Sequence, residues 1–329
     1  IVVILGALCF PLIFYVAFVY GLLPGMFLTL VAYYYFIKYT KEKHWYQLVI
    51  SALSINLAIL LIGNNLIHLL AIFAVAVIYF IRNKDWKIIA FILSCVFLMS
   101  ASKSVITNYY EVKSQKEIAE GVPKITWIAM GMQEGEREAG WWNRFNYDIM
   151  PEEEYDEKRI TEISKTSMKQ RLNVFRDNPK YAFDFYQRKY ENQFIEPTFQ
   201  SLLVTAPQRN FSNETTLEKI RDFFVKQIYF NHTHTVLEFI MKVFQVFVYL
   251  FTFVFAVVMY KRKNEFFAII PIAFIGGTLF NMIWEAKSRY IFPYFVFLIP
   301  LAAYGLVIVR NKINEYKKLK EEKDEKSTI

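Results

Sequence analysis

The run Trp284-Glu285-Ala286-Lys287-Ser288-Arg289-Tyr290 puts three ionisable side chains into one short stretch between two long apolar segments. Ionisable groups at membrane level are costly and usually face a cavity or a partner. Arg289 and Lys287 suit a phosphate or pyrophosphate oxygen, through charge-assisted hydrogen bonds. Glu285 can orient them and Tyr290 can donate a hydrogen bond. The same residues can also close an ordinary hairpin with a local Glu–Arg pair.

A second group lies far upstream. Trp141, Trp142 and Asn143 follow Gly131, Gly135 and Gly140 and a run of acids. Tryptophan faces beside acids and an amide suit the C–H faces of a pyranose, so the three are candidates for sugar or acceptor binding. Paired tryptophans are more commonly an interfacial belt. Glu134, Glu136 and Glu138 can supply a base or hold a metal, but solvated loop charge is the commoner outcome. His232 and His234 have ligand-like spacing without a third ligand, which favours a polar turn. His68, beside Asn64 and Asn65, reads as a hydrogen-bonded helix start rather than a catalytic base. No metal site is expected, and no cofactor. No phosphate-binding glycine loop, G-x-S-x-G, H-E-x-x-H, C-x-x-C or dinucleotide fingerprint occurs.

The elements that must position these groups are apolar. Of 329 residues, 55% are hydrophobic, 18% aromatic and 21% charged, against about 25% charged and 45–50% apolar in a soluble domain. The excess is concentrated in blocks too long for a soluble core, which argues against a cytosolic enzyme or a disordered chain. The net charge of +8 then fits loop charge that fixes membrane orientation better than a nucleic-acid footprint. Cys9 and Cys95 both lie in apolar runs and read as small buried hydrophobes.

Residues 1–37 contain no Asp, Glu, Lys or Arg, and the turn formers Gly21, Pro24 and Gly25 divide them into spans of about 1–19 and 24–38. Gly63-Asn64-Asn65 divides the next block into about 46–62 and 66–81, and a fifth span covers about 87–102. Three more lie between Lys242 and Lys261, between Glu265 and Glu285, and between Arg289 and Arg310. The expected fold is therefore mainly α, a polytopic membrane protein of about eight spans. Its divisions are 1–102 (five spans), 103–235 (a water-facing helical and loop domain), 236–310 (three spans) and 311–329 (a charged tail).

Basic loops at 38–44, 82–87 and 261–263 alternate with connections at Tyr20–Pro24 and Gly63–Asn65 that carry no cation. By the bias of Lys and Arg toward the cytoplasm, the tail is cytoplasmic and 103–235 lies outside, in the cell membrane. Within 103–235, helices are expected at about 152–176, starting at Pro151 and Glu152–Glu154 and stopping at Asn178-Pro179, and at 179–194 and 214–229. Residues 131–146 read as an irregular loop. Asn210, Asn213 and Asn231 open glycosylation sequons. The chain opens with Ile inside an apolar run, which suggests that the natural N-terminus lies upstream.

Taken together, these segments resemble the bacterial GT-C membrane glycosyltransferases related to protein O-mannosyltransferases. The likeness rests on the early hairpin Phe14-Tyr15-Val-Ala-Phe18-Val-Tyr20-Gly21. It rests also on Arg289-Tyr290-Ile-Phe-Pro293-Tyr294 opening a late span, with Pro300, Ala303 and Gly305 beyond. Trp127-Ile-Ala-Met-Gly131-Met-Gln-Glu-Gly135 to Gly140-Trp-Trp-Asn143 is similar to a W-I-A-M-G-L-Q-E-G…G-W-Y-N pattern of Gram-positive members, with Met132 for Leu and Trp142 for Tyr.

The resemblance implies transfer of a sugar from a polyprenyl-phosphate donor to a glycan, lipid or protein acceptor on the outer face. It implies a catalytic acid in a first outer loop, which would lie upstream of Ile1. It leaves the phosphate side to Glu285, Lys287, Arg289 and Tyr290. A polymerase or ligase of surface polysaccharide, and a transporter or flippase of lipid-linked sugars, are the competing readings. The transporter fits less well, since no internal repeat or mid-span charge is evident.

Overall fold

The computed structural model describes residues 1–18, 20–118, 121–150, 156–206, 215–261 and 265–327. Among them every regular element is helical. In chain order these are α1 (Val2–Leu8), α2 (Phe10–Phe14), α3 (Leu22–Glu42), α4 (Trp45–Leu61), α5 (Leu66–Asn83), α6 (Trp86–Ser114), α7 (Lys124–Gly131) and α8 (Phe145–Asp148). There follow α9 (Glu157–Asp177), α10 (Pro179–Glu191), α11 (Ser201–Thr205), α12 (Thr216–Phe230), α13 (His232–Tyr260), α14 (Ile269–Ile283) and α15 (Ser288–Ser327).

Five helical segments among the described residues are long and apolar enough to cross a membrane: Gly63–Asn83, Trp86–Ser114, His232–Tyr260, Glu265–Ile283 and Ser288–Glu322. The protein is thus a polytopic, mainly α membrane protein, but among the described residues such helices are fewer than the eight expected. The difference has local causes. The first apolar run is not one helix, because α1 stops at Cys9 (φ −79°, ψ 78°) and α2 restarts with Pro11 in its first turn. Proline has no N–H to continue the ladder and its ring clashes with the carbonyl four residues back, so an apolar run containing it need not be one rod. The second expected span is α3, 21 residues long, whose hydropathy is lowered by Tyr33, Tyr34, Tyr35, Tyr39, Lys38, Lys41 and Glu42. The third is α4, apolar but only 17 residues long.

The connections fall into two sets. Lys43 donates to Asp85 at 2.8 Å, joining the α3–α4 and α5–α6 connections, and Tyr39 Oη donates to the same carboxylate at 2.7 Å. Arg82 reaches Glu265 at 2.6 Å, tying the end of α5 to the approach to α14. Burial is the largest single influence on both Lys43 and Asp85 and opposes their charge, but their mutual hydrogen bond and attraction, with the further bonds to Tyr79, Tyr39 and the Lys87 N–H, together outweigh it. The lysine pKa is raised and the aspartate pKa lowered. The basic residues Arg262 and Lys263 lie outside the described residues. The other set, around Tyr20, Gly63–Asn65 and Trp284–Arg289, meets at the cavity described below.

Between α6 and α13 the chain builds a small separate core of Met132, Ala139, Phe175 and Phe185. Helices α9 and α10 form its hairpin. Asp156 Oδ1 caps α9 by accepting from the N–H groups of Lys158 and Arg159. Asn178 ends it and caps α10, whose first residue is Pro179. The expected start at Pro151 and Glu152–Glu154 lies outside the described residues, as do Asn210 and Asn213. Arg171 pins the core: Nε donates to the Met132 carbonyl at 2.7 Å, Nη2 to Tyr181 Oη at 2.9 Å, and the guanidinium lies over Phe175. Helix α6 runs unbroken through the expected boundary at 102 to Ser114. Helix α15 likewise carries on past Arg310 into the tail, where Arg310–Glu322 are exposed.

Candidate functional site

The turn between α14 and α15 is built by glycines elsewhere in the chain. Helix α14 ends where Trp284 turns extended (φ −87°, ψ −163°). Gly131, the last residue of α7, lies against this turn, and a Cβ there would sit 2.4 Å from the Trp284 carbonyl oxygen. Gly140, at φ +72°, accepts from the Ala286 N–H through its carbonyl at 3.0 Å. Two glycines of the Trp127–Asn143 segment are therefore needed for the backbones to meet. Lys189 of α10 closes the joint. It is wholly buried and donates to the Gly131 carbonyl. Burial holds its pKa down to about 7, against a smaller upward pull from Glu285.

Glu285 is the organising carboxylate. It is 4% exposed. It pairs with Lys287, accepts from Tyr290 Oη at 2.8 Å and accepts from the Trp142 N–H at 3.1 Å. Burial lowers the Lys287 pKa, and the pairing with Glu285 offsets part of that. The lysine Nζ also lies 5.6 Å from the Trp141 ring centroid. So Glu285 orients Lys287 and Tyr290 but not Arg289, and the local Glu–Arg hairpin pair is not formed.

Arg289 is set apart. Among the described residues no carboxylate lies within ion-pair distance of it, and its buried Nε has no hydrogen-bond partner. Its guanidinium rests 5.7 Å from Phe18 and 5.3 Å from Tyr290. Pro293, one turn on, cannot donate to the Arg289 carbonyl as a helical N–H would.

Arg289, Tyr290 and Glu285 line a cavity of about 490 Å³. Its apolar lining includes Phe18, Leu22, Met26, Leu61 and Ile62, and its polar lining adds Asn64, Asn65, His68 and Asn281. Lys287 is not in the lining. Neither are Trp141, Trp142 and Asn143, which serve the loop instead. Trp142 Nε1 donates to Asn146 at 3.0 Å, while Asn143 bonds Gln133 and caps Phe145. Glu134 is paired with Arg188, and His234 lies 3.3 Å from Glu238 in the first turns of α13.

The sequence places His68 at a helix start and Trp127 at the head of the Trp127–Asn143 motif without giving either a ligand role, and it does not single out Asn281. His68 is 1% exposed, its Nδ1 shares a 2.7 Å hydrogen bond with Tyr33 Oη, and it stacks on Tyr294 at 4.8 Å. The signal available for Asn281 is an amide two residues before the end of a helix that is apolar but for Thr278.

The profile of a family described as "conserved hypothetical integral membrane protein" matches residues 2–307. The chain belongs to that family. The matched region of this integral membrane protein family takes in all the cavity residues named above. Comparison with curated proteins and with solved structures returned no match.

Proposed function

We propose that the chain is a membrane glycosyltransferase that moves a sugar from a polyprenyl-phosphate carrier to a cell-surface acceptor on the outer face. The observation that carries this reading is the Arg289 guanidinium, without a carboxylate partner among the described residues, in the wall of a cavity whose lining also includes a set of apolar side chains. A cation at membrane level without an internal counter-ion suits an anionic ligand. A lipid phosphate supplies the anion, and its prenyl chain matches the wall of Phe18, Leu22, Met26, Leu61 and Ile62.

In this reading the anomeric C–O bond to phosphate breaks and a new bond to the acceptor oxygen forms. The acceptor proton passes to a base and the carrier departs as polyprenyl phosphate. Arg289 offsets the charge that grows on the leaving phosphate, which is electrostatic stabilisation of the transition state. Lys287, held by Glu285 and not itself in the lining, adds positive potential at longer range. Glu285 is not the base, because its oxygens already accept from Tyr290, Lys287 and Trp142. Counting the broken first run, α3 and α4 with the five longer helices gives the eight-span arrangement. The Lys43–Asp85 end is then cytoplasmic and the cavity opens outward.

The test is transfer by the purified protein in liposomes, with polyprenyl-phosphate-linked radiolabelled hexoses and lipid-extracted cell-wall acceptors. Labelled product supports the reading. Movement of intact donor between leaflets without product would make the protein a transporter, and transfer of preassembled oligosaccharide alone would make it a polymerase or ligase.

A further inference from the structure

The cavity holds a second set of polar groups that the lipid phosphate leaves unused. Asn281 is 2% exposed, lines the cavity, and its Nδ2 has no hydrogen-bond partner among the described residues. A buried amide N–H without a partner costs about 1–3 kcal/mol. Such a group is kept where a ligand completes it. His68 lines the same cavity from α5, held by Tyr33 on one nitrogen, by the stacked Tyr294 ring and by a T-shaped contact with Phe297. Trp127, parallel to Trp284 at 6.4 Å and 13°, is an aromatic wall of the same space.

Position along α15 relates these groups to Arg289. Tyr294, against which His68 stacks, lies five residues beyond Arg289 in the same helix. At 1.5 Å per residue that is a rise of about 7.5 Å, comparable to the length of one sugar ring with its bridging oxygen. Neutral, oriented amide and imidazole groups suit hydroxyls, which both donate and accept, better than they suit a second anion.

Resting on the glycosyltransferase reading, we propose that Asn281, His68 and Trp127 form the saccharide subsite of the cavity. It receives the hexose of the donor next to the phosphate held at Arg289. The pair Trp141 and Trp142 is then not the donor-sugar platform. Asn281 and His68 are recognition residues for sugar hydroxyls, and the orphaned Asn281 amide is satisfied when the ring is bound.

The experiment compares binding to the detergent-purified protein of two probes, a short-chain polyprenyl phosphate and the same phosphate carrying glucose, galactose or mannose. The wild type is expected to bind one glycosylated probe more tightly than the bare phosphate. Asn281→Leu and His68→Phe are expected to weaken that probe about tenfold, the effect of one buried hydrogen bond, and to leave the bare phosphate unchanged. Should Asn281→Leu not fold, Asn281→Ser makes the same comparison. Equal weakening of both probes, or of neither, overturns the subsite. A wild type that binds the bare phosphate as tightly as every glycosylated probe overturns it too, while leaving phosphate binding at Arg289 intact. Binding of no probe overturns the parent reading and the subsite together.

Discussion

Glu285→Ala removes the carboxylate on which the α14–α15 turn depends. The side chain is about 5% exposed and its partner Lys287 about 12% exposed, so both charges are largely out of water. Deleting one member of a buried pair costs about 3–5 kcal/mol, mainly because the other charge is left uncompensated. The Tyr290 hydroxyl and the Trp142 N–H lose their acceptor at the same time. The pH dependence has a definite sign. Burial already lowers the Lys287 pKa and Glu285 raises it, so without Glu285 the folded-state pKa falls further below the unfolded value. The unfolded state then binds more protons, and the variant regains stability as pH rises above the folded pKa. Glu285→Leu with Lys287→Met removes both charges and should recover most of the loss, since an apolar pair of similar volume is often neutral or better. The assay is unfolding in mixed micelles followed by far-ultraviolet circular dichroism at several pH values. The reasoning is refuted if Glu285→Ala lies within about 0.5 kcal/mol of wild type, or if the double variant is no more stable than the single one.

Gly131→Ala should destabilise the protein by about 1–3 kcal/mol, because the added Cβ would lie 2.4 Å from the Trp284 carbonyl oxygen. Thermal unfolding in detergent reads this directly. Lys189, held down to about 7 when folded against the usual 10.5, should make the wild type gain stability as pH rises between those values. Lys189→Met should lack that slope, as measured by unfolding across pH 6–10. Tyr15→Phe should cost about 1–2 kcal/mol. It removes a buried donor to the Phe199 carbonyl that fastens the broken first run to the loop before α11.

Much of the helix order was legible from punctuation. Gly63-Asn64-Asn65 between two apolar runs gave a short 3₁₀ turn at those residues, and Asn178-Pro179 gave the α9–α10 corner. What escaped was continuity. The lone Pro11 breaks a run whose composition reads as one span, while Lys103, Glu111 and Lys113 fail to stop α6, because charges on exposed helix faces do not end a helix. Of the four residues assigned to the phosphate, three line one cavity and Lys287 is not in its lining. The role of Glu285 was only partly legible, since its third bond, to Trp142, spans 143 residues. Asn281 and His68 each look like an isolated polar residue in an apolar helix. Only the packing of α5, α14 and α15 brings them to one cavity.

Arg289 offers the most direct test of the central claim. It makes no ion pair among the described residues, so Arg289→Ala should leave unfolding within about 1 kcal/mol of wild type. Transfer of labelled hexose from polyprenyl phosphate should nevertheless fall at least a hundredfold, the scale of losing one charge-stabilising group. Arg289→Lys should restore part of that rate by keeping the charge. Near-wild-type transfer by a folded Arg289→Ala protein would contradict the account, and Arg289 would revert to a hairpin residue.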